Sequence, residues 1–182
     1  MKNIKLLTKN KGYSLIEIMV VMGIMLLFFA VVTPSYITSR EKSRDAQRVS
    51  DLAKIKLALE SFYMYNGYYP PSGCGWDCNG YSQSYSTNWL TLQNYLSPYL
   101  QGELPRDPKN SSCSPWTTSS ECYSYAYGNV GKENYPAQYD LTARLEYKQN
   151  PLRCELKNYK FYFNSTIAWC GSYSKYVYEA SS

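Results

Sequence analysis

An apolar run from Ile18 to Val32, with one carboxylate just before it at Glu17 and a lysine-bearing leader ending in Lys11-Gly12, constrains this chain more than any other feature. At roughly 1.5 Å of rise per residue, a helix from Tyr13 to Val32 covers about 30 Å, the thickness of a hydrocarbon core. The sequence therefore predicts a transmembrane helix over 13–33. An acidic side chain there costs on the order of 2.5 to 3.5 kcal/mol on insertion scales, so Glu17 is a candidate functional residue in need of a partner. A secretory signal peptide has a shorter apolar region with its small-residue cleavage site on the far side. Here the run is long, and the small residue, Gly12, precedes it.

Charge points the same way. Four of the 19 basic residues, Lys2, Lys5, Lys9 and Lys11, lie in the leader, so 15 remain against 14 acidic ones. The leader lysines follow the positive-inside rule, holding the amino terminus in the cytoplasm and sending the rest outward. The nearly neutral remainder offers no electrostatic footprint for direct nucleic-acid binding.

The segment resembles the class III signal of type IV prepilins and pseudopilins: a basic leader ending in glycine, an aromatic residue, then Ser14-Leu15-Ile16-Glu17. Glu17 is the fifth residue after Gly12 and Pro34 the twenty-second, as in that family. The resemblance implies that a prepilin peptidase cuts between Gly12 and Tyr13 and N-methylates Tyr13. It also implies that Glu17 of an incoming subunit pairs with the Tyr13 amine of its neighbour in a helical filament. An α-amino group is cationic at neutral pH, and a carboxylate in lipid seeks such a charge. Tyr13 stands where phenylalanine is usual, and Leu26 where the family often has glycine. Pro34 removes a helical hydrogen bond and is expected to kink the helix.

The implied fold is α+β: a long N-terminal helix, half of it transmembrane, packed on a small antiparallel sheet and stapled by disulfides. The expected divisions are a removed leader at 1–12, the assembly helix at 13–33, its amphipathic second half at 34–66 and an exported head at 67–182. Polar residues of mixed charge from Arg40 to Lys56 read as a solvated helix face. Val49, Leu52, Ile55, Leu59 and Phe62 recur at three- and four-residue steps, a stripe that docks the helix on the head. Asn66-Gly67 is a stop signal, and Pro70-Pro71 forbids continuation.

Within the head, a helix is predicted from Asn88 to Leu100, capped by Thr87 or Asn88, with Trp89, Leu92, Leu96 and Leu100 on one face. A loop follows over 102–108. Alternation at Tyr123, Tyr125 and Tyr127, and at Tyr139, Leu141, Ala143 and Leu145, predicts two strands, with others near 159–163 and 173–178. Nineteen of the 21 tyrosines lie from Tyr63 onward. They read first as core and strand-face residues, and second as an adhesive surface for a polysaccharide or protein.

Six cysteines, Cys74, Cys78, Cys113, Cys122, Cys154 and Cys170, all fall in the exported part and predict three disulfides. Pairing in sequence order is preferred, although spacing alone does not choose. With no histidine and no paired C-x-x-C, no zinc site is expected, and the lack of histidine also removes the commonest catalytic base. By the resemblance, a calcium site would draw on Asp107 and Asp140, but turn and cap roles are the preferred reading of both. No cofactor or resident metal is expected, and the chain reads as a non-enzyme.

Two functions share this framework. The preferred one is the structural subunit of an extracellular type IV pilus or pilus-like filament, used in adhesion, motility or DNA uptake. The alternative is a pseudopilin of a type II secretion-like machine. A membrane-anchored binding protein that never polymerises is a third. The implied partners are copies of itself, the prepilin peptidase, an inner-membrane assembly platform and the membrane. The implied course runs from a cytoplasmic-membrane precursor, amino terminus inside, to a surface filament or the envelope.

Overall fold

A computed structural model describes residues 12–72, 81–117, 121–129, 139–153 and 177–180, without the side chains of 31–35. The chain divides into two units, through Ser39 and from Arg40 onward.

The N-terminal unit contains the first part of α1, a helix of 52 residues over Leu15–Asn66. The helix runs through Pro34 as part of α1. Among the described residues, no helix is long and apolar enough to cross a membrane. The apolar stretch described with its side chains, residues 15–30, covers about 24 Å of helix rise.

The second unit is α+β. Helix α1 ends at Asn66 because Gly67, at φ 74°, takes the left-handed conformation that closes a helix C-terminus. A short strand β1 (Tyr81–Gln83) leads to helix α2 (Asn88–Leu96) and a 3-10 turn over Ser97–Tyr99. Strands β2 (Tyr125–Gly128), β3 (Asp140–Arg144) and β4 (Val177–Glu179) follow. The four strands pair antiparallel in sequence order.

Register decides which side chains reach the helices. Tyr125 opposes Ala143 and Tyr127 opposes Leu141, so all four lie on one face. There they join Leu52, Ile55, Leu59 and Phe62 of α1 and Trp89, Leu92 and Leu96 of α2 in one buried cluster. On the other face, the Tyr81 ring lies so close to Gly128 that a Cβ there would sit 2.5 Å from it. Tyr81 also meets Trp116, with ring centroids 4.7 Å apart. The loop carrying Trp116 is held by a disulfide between Cys113 and Cys122 and by Arg144, which donates to the Thr117 carbonyl at 2.8 Å. This cover explains why β1, β2 and β3 are buried on both faces.

Several expectations change. The second helix stops at Leu96, because Pro98 enters a tighter turn. Thr87 is helical and makes no side-chain cap. Strand β1 is too short to show alternation. Cys74, Cys78, Cys154, Cys170 and the strand expected near 159–163 lie outside the described residues.

Candidate assembly site and a buried ion cluster

In the N-terminal unit, Ser14 starts the helix: its carbonyl accepts from the amides of Glu17 at 3.0 Å and Ile18 at 3.2 Å. Glu17 stands in the first turn, where the helix dipole favours an anion. Its side chain is exposed, as are Tyr13, Leu15, Ile16, Met19, Val20 and their neighbours through Phe29. Consecutive exposed apolar residues place apolar surface on every side of this helix. Such a surface requires a covering of lipid or protein. Gly12 is exposed, and among the described residues a Cβ there would meet nothing within 4 Å.

The second unit overturns one expectation. The charged stretch expected to be a solvated face buries Asp45, Arg48 and Asp51. Arg48 forks onto Asp107, with Nε–Oδ2 at 2.7 Å and Nη2–Oδ1 at 3.1 Å. Its Nη1 lies 3.0 Å from Asp45 and 2.7 Å from Glu146. Glu146 also accepts from Arg44 Nε at 2.7 Å and Nη2 at 2.6 Å, and lies 2.9 Å from Lys109 Nζ. Asp45 accepts from the amides of Glu146 and Tyr147 and from Asn150 Nδ2, at 2.8, 3.0 and 3.1 Å. Tyr123 roofs the cluster, with Lys109 Nζ 4.3 Å and Arg48 Cζ 4.9 Å from its ring centroid.

The chemistry is structural. Burial pushes the Glu146 carboxyl up, but bonds from Arg44, Lys109 and Arg48 overcome this and hold it at about 2. Burial likewise lowers Arg48, and Asp107 and Glu146 outweigh it, raising the guanidinium above its ordinary value. Breaking one partner of such a set leaves a buried charge uncompensated.

The tyrosines follow the core reading. Tyr125 donates to Asp51 at 3.0 Å, while Tyr69 and Tyr139 donate to Glu60 at 2.9 and 3.2 Å. Burial first, and then these carboxylates, raise all three phenols.

The two calcium candidates are drawn into separate contacts. Asp107 holds Arg48 and the amide of Lys109 at 2.8 Å, whereas Asp140 accepts from Tyr81 Oη at 2.6 Å. Among the described residues, no group of three or more acids or cysteines is placed to hold a metal ion.

Residues 7–33 match the family model of the prokaryotic N-terminal methylation motif. The type II secretion system core protein G of Escherichia coli strain K12 is 33% identical over 67 residues, which are 37% of this chain and 46% of that protein. Its counterpart in Vibrio cholerae is 29% identical over 104 residues, 57% of this chain and 68% of that one. For Klebsiella pneumoniae the figures are 29% over 103 residues, 57% of this chain and 71% of the relative. The chain thus spans from about half to seven tenths of the curated relatives it matches. No solved structure matches it. The chain is not an enzyme, and its N-terminal motif, long helix and small antiparallel sheet are similar to those of the type IV pilin and pseudopilin family.

Proposed function

We propose that this chain is a pseudopilin, a filament subunit serving a type II secretion-like machine. One observation carries the reading: the helix from Leu15 to Phe29 is apolar and exposed all round, with a single acid in its first turn. An isolated soluble chain would not keep such a surface bare. A membrane before assembly and neighbouring helices after it would cover it.

The precursor sits in the cytoplasmic membrane, with its leader inside and its head exported. Prepilin peptidase removes residues 1–12 between Gly12 and Tyr13 and methylates the Tyr13 amine. Glu17 then pairs with the Tyr13 amine of a neighbouring copy as the assembly platform draws subunits from the bilayer. Residues 13–33 form the packed filament core, and 34–66 carry the head at 67–182.

An extracellular pilus would use the same helix and the same Glu17. The secretion reading is preferred because similarity to core protein G extends over 104 residues, well beyond the N-terminal motif at 7–33.

Mass spectrometry of the N-terminal peptide, from the membrane and from material sheared off the cells, tests the proposal. A methylated peptide beginning at Tyr13 in the envelope fraction is expected, together with impaired release of exported proteins when the chain is deleted. A retained leader would overturn the processing scheme. Abundant Tyr13 peptide in the sheared fraction, with export intact, would return the chain to the pilus class.

A further inference from the structure

We propose that the end of the head where the chain enters it is a docking surface for the anionic headgroups of phospholipids. The inference rests on the reading of 13–33 as membrane-inserted before assembly. The second unit begins at Arg40, and Lys42 and Arg44 follow within the next helical turn. Two distant segments are fastened to the same place. The turn bearing Lys148 is held by Asp45, which accepts from the amides of Glu146 and Tyr147, and the Tyr147 ring lies 4.6 Å from Lys42 Nζ. The loop bearing Arg106 and Lys109 is held by Asp107 on Arg48 and by Lys109 on Glu146.

Charge is sorted at this surface. The acids of the cluster are turned inward, their side chains 1% exposed at Asp45, 0% at Asp107 and 3% at Glu146. The bases face outward: Arg40, Lys42, Arg106, Lys109 and Lys148 are exposed and Arg44 is half-buried. Within 40–44 the one acid is Glu41, which is half-buried, while the exposed acids Glu103 and Glu121 belong to flanking loops. Among the described residues, solvent therefore meets mostly cations here, although the mature chain is almost neutral.

Lipid phosphate is the partner that fits. Only residues 33–39 lie between Val32 and Arg40 in the sequence, a short tether from the apolar segment to the second unit. The headgroup layer is about 5–8 Å deep, and the field of an anionic surface reaches roughly a further 8–10 Å at physiological salt. Anionic headgroups are the charge complement of these exposed bases, and each lysine or arginine near such a surface is attracted to it.

The test uses the full mature chain in lipid nanodiscs and a membrane-impermeant amine reagent, with modification read lysine by lysine by mass spectrometry. In phosphatidylglycerol discs, Lys42 and Lys148 should react about fivefold more slowly than in phosphatidylcholine discs, a ratio set by the attraction per basic residue. About 0.5 M salt should restore the rates, because the screening length falls to a few ångströms. Lys54, whose side chain is 62% exposed, should react equally in both discs. Arg106→Gln with Lys148→Gln, at exposed positions, should weaken the protection of Lys42. Equal rates in the two lipids would overturn the inference while leaving the membrane reading intact. Equal protection by inorganic phosphate added to phosphatidylcholine discs would also overturn it. Failure to enter either disc would overturn the membrane reading, and this one with it.

Discussion

Arg48→Ala removes the guanidinium that three buried carboxylates share, and the damage is unequal among them. Asp45 keeps the amides of Glu146 and Tyr147 and the Asn150 side chain, and Glu146 keeps Arg44 and Lys109. Among the described residues, Asp107 keeps only the amides of Lys109, at 2.8 Å, and Asn110, at 3.3 Å, with its side chain 0% exposed. Leaving one partner of a buried pair uncompensated costs about 3–5 kcal/mol, a large part of the roughly 5–15 kcal/mol that holds a domain together. Thermal unfolding of the mature chain in detergent, followed by tryptophan fluorescence, should show a midpoint about 10–15 °C below the parent. Arg48→Met combined with Asp107→Asn should recover most of that loss. The amide can still accept in the turn, and a neutral buried pair no longer carries an unpaired charge. An Arg48→Ala variant within about 1 kcal/mol of the parent, or strictly additive losses in the double variant, would refute this account of Asp107.

Glu146 predicts a pH dependence whose sign follows from its lowered value. Its carboxyl titrates at about 2 in the folded chain against an ordinary 4.5, so its stabilisation is complete above about pH 5 and is lost as pH falls from there toward 2. The interval corresponds to roughly 3 kcal/mol. Glu146→Gln should lose most of this acid sensitivity in urea titrations, and a parent midpoint unchanged between pH 5 and 2.5 would rule the effect out. Gly128→Ala should drive the Tyr81 ring off β2, where a Cβ would lie 2.5 Å from it. Loss of the 2.6 Å bond from Tyr81 to Asp140 would follow, with a cost of about 1–3 kcal/mol; an unchanged melting temperature would show that the ring yields freely. Glu17→Ala should leave cleavage after Gly12 intact but prevent incorporation into filaments, and normal filaments from that variant would remove the proposed role of the carboxylate.

Local pattern made part of this legible. Of the stripe Val49, Leu52, Ile55, Leu59 and Phe62, the last four are buried as its spacing requires and Val49 is half-buried, and Asn66-Gly67 ends the helix because Gly67 takes a positive φ. Alternation located Tyr125, Tyr127, Leu141 and Ala143 on the core face of the sheet. The ion cluster escaped because its pairs are long-range: Asp107 lies 59 residues from Arg48, and Glu146 lies 102 from Arg44. One signal was nevertheless present. Extending the apolar stripe backward from Leu52 by four and then three residues reaches Arg48 and Asp45. A charge at a core phase of a helix is seldom fully buried unless paired, so the stripe itself pointed to a buried ion set where composition suggested a solvated face. No comparable signal marks β1, whose three residues are too few to alternate.

The position of the charges on that stripe has a consequence for register. Apolar positions that repeat every three or four residues leave the axial placement of α1 on the sheet weakly determined, because a shift by one turn returns apolar side chains to much the same surface. Arg48 tolerates no such shift. Its forked bond to Asp107 and its contacts with Asp45 and Glu146 would all be lost at a displacement of about 5.4 Å, one helical turn. The cluster thus contributes specificity even where its net stabilisation is modest, the role that buried polar groups serve in setting helix register. The doubly neutral variant, Arg48→Met with Asp107→Asn, separates the two contributions. It should melt near the parent yet show amide exchange in α1 from Asp45 to Phe62 faster by about tenfold or more, as alternative registers become populated. Exchange protection equal to the parent's would mean that apolar packing alone fixes the register.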